Sequence, residues 1–192
     1  MQYEYQRASH EVTVHEAAKI RYENLQTRYS KRVEKMESIF TKRKNQLSTD
    51  YKSLQSQASA NISSATGGSA AAFEAMLGSI IIGGHSLGDY IDCSSASSLS
   101  GSDLLRELSS LAQKANAALQ TLIQAAQDAD TERLEDQEEQ MLDPIREKDT
   151  EMEAKSNLEQ TLTTVWDERK EAAKQRLGQD VKGAFGGFTL GG

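Results

Sequence analysis

Glycine is absent from residues 1–66 and 102–177, and the 192-residue chain holds a single proline, Pro144. A glycine inside a helix costs roughly 1 kcal/mol against alanine, and a proline removes a hydrogen bond and clashes with the preceding turn. Two long blocks spared both breakers, and rich in Glu, Lys, Gln, Ala and Leu, are expected to form two long helices. Every glycine falls between Gly67 and Gly101 or from Gly178 onward. The expected fold is all-α: a long antiparallel helical hairpin of coiled-coil type around a small Gly/Ser-rich, partly helical middle segment. Five stretches follow: an N-terminal extension (1–12), a long first helix (13–65), the middle segment (66–102), a long second helix (103–182) kinked near 144, and a Gly/Phe tail (183–192).

Thr13 and Glu16 have capping-box spacing, in which the hydroxyl accepts from the Glu16 backbone N–H and the carboxylate reaches back; this sets the expected start of the first helix. Val12 and Ala17 are placed for a hydrophobic staple. Apolar residues then recur from Val14 to Ile62, in steps that are mostly 4-4-3. Leu25, Met36, Leu47 and Ala58 are eleven apart, as are Tyr29, Phe40, Tyr51 and Ile62. An eleven-residue repeat corresponds to about 3.67 residues per turn, so the stripe runs nearly straight. The stripe is narrow and can pack against one or two helices.

In the second block, Ser102 or Asp103 is the expected cap. Leu104, Leu108, Leu111, Ala115, Leu119, Leu122 and Ala126 form its first stripe. Residues 127–144 are strongly acidic, with Arg133 as their one basic residue. Asp143 and Pro144 suit a cap and first turn, which predicts a kink or restart there. Ile145, Met152, Leu158, Leu162, Val165, Trp166, Ala173, Leu177 and Val181 continue the stripe. Residues 31–44 are net basic. If the chain turns near residue 85, position 40 lies close to position 130 and basic meets acidic, a pattern that sets helix orientation more than it holds helices together.

The middle segment contains AAAFEAMLGSIIIGG (residues 70–84). From Ala70 to Ile82 is 13 residues, about 20 Å as a helix, against about 30 Å of hydrocarbon in a bilayer; Glu74 interrupts it. A spanning helix is not expected, although contact with a membrane remains compatible. A short helix from Ser69 to about Leu77 followed by an extended IIIGG segment is expected. The run must pack on the chain's own helices or on another subunit. Phe73, Met76, Leu77, Ile80, Ile81 and Ile82 are the candidate patch. Tyr29, Phe40 and Tyr51 are the candidate hairpin seam, and Trp166, Phe185 and Phe188 are candidate intersubunit anchors.

Chemistry is sparse. His10, His15 and His85 lack zinc spacing with Cys93 or with one another, no Glu-x-x-His pair of the bundle metal sites occurs, and no phosphate-binding loop is present. Gly84, Ser86 and Gly88 match Gly-x-Ser-x-Gly, but on no strand–turn–helix and with no acid and histidine partners. No catalytic, cofactor-binding or metal-binding residue is expected. One cysteine allows no internal disulfide, and Cys93 reads as a small residue in a serine-rich loop. With a formal charge of −7, a phosphate-tracking nucleic-acid surface is not expected. The N-terminus lacks the basic and apolar regions of a cleaved secretory signal.

Asp103-Leu104, Leu111, Lys114-Ala115-Asn116 and Thr121 are spaced as at the start of the C-terminal helix of EspA-type proteins, the filament and needle-tip subunits of type III secretion. Over these residues the chain resembles that family. The resemblance implies a helical hairpin exported without a cleaved signal, polymerising through both helices, with itself and a secretion chaperone as partners and an extracellular or cell-surface location. Independently of it, two narrow-striped helices leave apolar surface that association would cover. The leading expectation is a non-enzymatic, self-assembling structural subunit. The alternatives are a membrane-active helical pore or ejection protein, and a cytoplasmic coiled-coil adaptor or chaperone.

Overall fold

The computed structural model describes residues 2–186, with side chains through Lys182. Two long helices carry the chain: α1 (Gln2–Ala65) and α3 (Gly101–Gly186). Between them lie α2 (Ala70–Ser79), the strands β1 (Ile81–Ile82) and β2 (His85–Ser86), and 3-10 turns at Leu87–Tyr90 and Ser94–Ser98. The fold is an all-α helical hairpin, α1 packing on α3. The chain divides into two compact units: unit 1, from 1–36 and 140–192, and unit 2, from 37–139.

Unit 2 contains the main core. The C-terminal half of α1 supplies Ala58 and Ile62, and α3 supplies Leu108, Leu111, Ala112, Ala115, Leu119 and Ile123. The middle segment closes over them with Phe73, Leu77, Ile80, Ile82, Leu87, Cys93 and Ala96. α2 starts where expected, because the Ser69 side chain accepts from the Ala72 N–H at 3.2 Å and caps it. β1 and β2 form a two-residue hairpin, Ile81 opposite Ser86 and Ile82 opposite His85. Its turn is Gly83-Gly84, at φ +59° and +84°; two successive left-handed residues are what such a tight hairpin needs, and glycine adopts them without a Cβ penalty. A Cβ on Gly83 would also lie 3.2 Å from the Ala126 Cβ, so the turn sits directly on α3. Gly88 meets a tighter limit, since its Cβ would lie 3.1 Å from the Gly78 nitrogen. The Leu87 N–H donates to the Ile80 carbonyl and ties the 3-10 turn back to the C-terminal end of α2.

In unit 1 the N-terminal half of α1 lies antiparallel to the C-terminal part of α3, with His15 meeting Glu159 and Ser30 meeting Asp149. Ala8, Val12, Leu142, Met152 and Ala173 are its buried apolar residues, and Ser156 is buried with them.

Four expectations are corrected. Residues 2–12 are helix, not an extension, and Thr13 is interior: its hydroxyl donates to the Ser9 carbonyl, so the capping box does not form. Nothing in 2–12 breaks a helix, and Ala8 and Val12 carry the buried stripe toward the N-terminus. α3 begins at Gly101, two residues before the expected 103. It also runs through Pro144 without restarting. Pro144 and Gln140, whose carbonyl the ring displaces, both lie on the exposed face, where water can take the freed acceptor. Finally, Val14, Leu158, Val165 and Val181 are exposed rather than part of the stripe.

Candidate interface surfaces

The apolar run is core in this chain. Phe73 and Leu77 are completely buried, and Ile80 and Ile82 nearly so, all within unit 2. Met76 is half-buried against the same cluster. These five do not form the exposed interaction patch expected of them, because the surface they needed was available on α1 and α3. Ile81 is the exception: strand alternation turns it outward, and it is 64% exposed. It borders a shallow groove of about 260 Å³ with Leu47, Tyr51, Leu54, Ile82 and Gly83, rimmed by Asp50 and Asp130.

The Tyr51 hydroxyl donates to Asp130 Oδ2 at 2.8 Å across the α1–α3 contact of unit 2. Burial, reinforced by that carboxylate, pushes the phenol up to about 12, so it stays a donor at neutral pH. Phe40 is 1% exposed, with the Arg43 guanidinium 5.7 Å from its ring centroid. Tyr29 is half-buried on α1 in unit 1. The basic-meets-acidic expectation takes a specific form in unit 2. Lys44 reaches Glu138 at 2.9 Å and Glu135 at 3.2 Å, and the Glu138 hydrogen bond leads in raising the ammonium above its ordinary value. Both pairs are partly exposed and worth at most about 1 kcal/mol each.

Lys44, Ser30 and Glu159 were not singled out from sequence as seam residues. Lys44 belongs to a third column eleven residues apart, Tyr22, Val33, Lys44 and Gln55, all half-buried. Extending the repeat past its apolar members would have found it. In unit 1, His15 Nδ1 lies 2.6 Å from Glu159 Oε2, and since a carboxylate only accepts, that nitrogen donates. The Ser30 hydroxyl lies 3.1 and 3.2 Å from the two Asp149 oxygens while also reaching the Gln26 carbonyl. Glu151, on the surface, is held down to about 2 by Lys148 and Lys155.

Trp166 is half-buried in unit 1 with two guanidiniums on its ring, Arg169 at 4.7 Å and Arg7 at 5.9 Å from the centroid. The three residues border a cavity of about 340 Å³ completed by Glu4, Ala8, Ala172, Ala173 and Arg176. Arg7, Arg169 and Arg176 are exposed, and among the described residues none of them makes an ion pair. The Phe185 side chain and Phe188 lie outside the described residues.

Ser86, the serine of the Gly-x-Ser-x-Gly match, is engaged locally. Its hydroxyl donates to the Gly78 carbonyl and accepts from the Gly88 N–H, both at 3.2 Å. Cys93 is buried, and burial leads in pushing its thiol up. Among the described residues no group of three or more His, Cys, Asp or Glu is placed to hold a metal ion, and no helix is long and apolar enough to cross a membrane. Compared with protein families, curated proteins and solved structures, the chain has no match.

Proposed function

We propose that the chain is a non-enzymatic, self-assembling structural subunit, an exported filament or secretion-apparatus component whose copies associate through their helices. The supporting observation is the thinness of unit 1. Its two helical stretches bury five apolar side chains, two of them alanines, while Tyr3, Val14, Ile20, Leu158, Val165 and Val181 stay 39–74% exposed. Burial stabilises by about 25 cal/mol per Å² of apolar surface, so a seam of this kind gains from a further helix laid against it. Ile81 adds an exposed branched side chain above the groove of unit 2.

Light scattering across a concentration series, with negative-stain imaging of the same samples, tests the reading. Growth into filaments or closed rings is expected. Ile81→Asp is expected to suppress growth while leaving helicity and the urea midpoint near wild type, because Ile81 contributes little to the core. A concentration-independent monomer or dimer would overturn self-assembly.

A further inference from the structure

We propose that the Arg–Trp cavity of unit 1 receives the acidic outer face of α3 from a second copy of this chain. The inference rests on the self-assembly reading above. The cavity has the composition of an interface centre: a tryptophan flanked by arginines, the residue types most enriched where binding energy concentrates. It presents three cations, Arg7, Arg169 and Arg176, against one carboxylate, Glu4. All three stay without an ion pair among the described residues, in a chain whose formal charge is −7. Their exposure fits a protein surface better than an enclosed ligand site.

The complementary surface is on the same chain. Asp128, Glu132, Asp136 and Glu139 follow one another at steps of four, four and three, which at 100° per residue places them on one face of α3. All four are exposed. Glu132, Asp136 and Glu139 make no ion pair among the described residues, whereas Glu135 and Glu138 on the inner side are taken by Lys44. Arg169 and Arg176 are seven residues apart, and so are Glu132 and Glu139. At 1.5 Å per residue both pairs repeat at about 10.5 Å, so two helices lying side by side bring both charges of one into register with both of the other. A cavity on one copy that takes a different surface of the next makes a heterologous contact, the type that closes into rings or grows into filaments.

The test is a charge exchange, read by sedimentation velocity and light scattering in low salt. Arg169→Glu/Arg176→Glu and Glu132→Arg/Glu139→Arg are each expected to raise the concentration needed for assembly roughly tenfold or more, since two attractive pairs become repulsive. Each variant alone carries two surfaces of one sign. Mixed in equal amounts, the two are expected to assemble again, because the reversed cavity of one fits the reversed face of the other. Circular dichroism on each variant checks that the helices are intact. If wild type assembles and both variants assemble equally well, or if mixing restores nothing, the proposed contact is wrong while self-assembly stands. If substitution of Lys31, Arg32 and Lys35 blocks assembly and the cavity variants do not, the acidic face docks elsewhere. A wild-type monomer at every concentration overturns both readings.

Discussion

Among the described residues, 37–139 bury sixteen side chains, including Phe40, Phe73, Leu77, Leu111 and Leu119. Residues 2–36 and 140–182 bury only Ala8, Val12, Leu142, Met152, Ser156 and Ala173. Both units are made from the same two helices, and the eleven-residue columns of α1 run through both. Unit 2 adds a third layer, α2 with the Ile81–Ser86 hairpin, so apolar side chains from three directions meet. In unit 1 two narrow stripes face each other alone, and the contact is completed by polar pairs such as His15–Glu159 and Ser30–Asp149. A two-helix contact leaves each buried position within reach of water, so long polar side chains can occupy it with their heads in solvent. The middle segment is thus what turns a shallow seam into a core.

Truncation probes that contrast most directly. Phe73 is completely buried in the added layer, and Phe73→Ala is expected to cost about 3–5 kcal/mol by urea unfolding. Met152→Ala, in the seam of unit 1, is expected near 2 kcal/mol, the low end for such a change, because two helices alone can close part of the gap. Equal losses would mean that the two units are equally well packed. An unchanged stability for Phe73→Ala would show that α2 is not core.

Pro144 gives an effect of opposite sign confined to unit 1. It lies inside α3 on an exposed face, where proline is worth up to about 3 kcal/mol less than alanine. Pro144→Ala is expected to stabilise the chain and to slow hydrogen exchange in the amides around Gln140 and Asp143. A loss of stability would show that the proline holds a contact alanine cannot replace.

Tyr51 tests the polar side of unit 2. Tyr51→Phe removes the hydrogen bond to Asp130 and is expected to cost about 1 kcal/mol at neutral pH. The phenol is raised from 10.0 to about 12 in the folded chain, so folding favours its protonated form. That stability is fully present below pH 10 and is lost as pH rises through 12. Urea midpoints between pH 9 and pH 12 should therefore fall faster for wild type than for Tyr51→Phe. Parallel curves would show that Tyr51 and Asp130 do not interact in solution.

Much of the helix layout was legible in sequence, though the role of the middle segment as a core layer was not. The glycine gaps marked α1 and α3, Ser69 marked the start of α2, and Gly83-Gly84 ended the extended run. In unit 1, the stripes were misread because the seam is shallow. A stripe traced through apolar residues alone picked up Val14, Leu158, Val165 and Val181, which face solvent, and passed over His15, Ser30 and Glu159, which face the partner helix. Thr13-Val14-His15-Glu16 was a well-formed start signal in a helix that had already begun, since a capping box decides a boundary only where the preceding residues cannot continue the helix. The Arg–Trp cavity had a local signal in Trp166 and Arg169, one turn apart. Arg7 joins it only through the fold.

The smallest expected effect falls in unit 2, on α3. Asn116 Nδ2 donates to the Ala112 carbonyl at 3.0 Å, one turn back, and leaves its Oδ1 buried without a partner. An unmet buried acceptor costs about 1–3 kcal/mol, and asparagine is the poorer helix former by a few tenths. Truncation to alanine removes both penalties and loses the packing of a half-buried side chain, which offsets most of the gain. Asn116→Ala is therefore expected to raise stability by about 0.5 kcal/mol, read as a small upward shift of the urea midpoint at unchanged slope. A clear destabilisation would mean that Oδ1 is satisfied by an internal water, and that the better-packed unit holds no polar fault at Asn116.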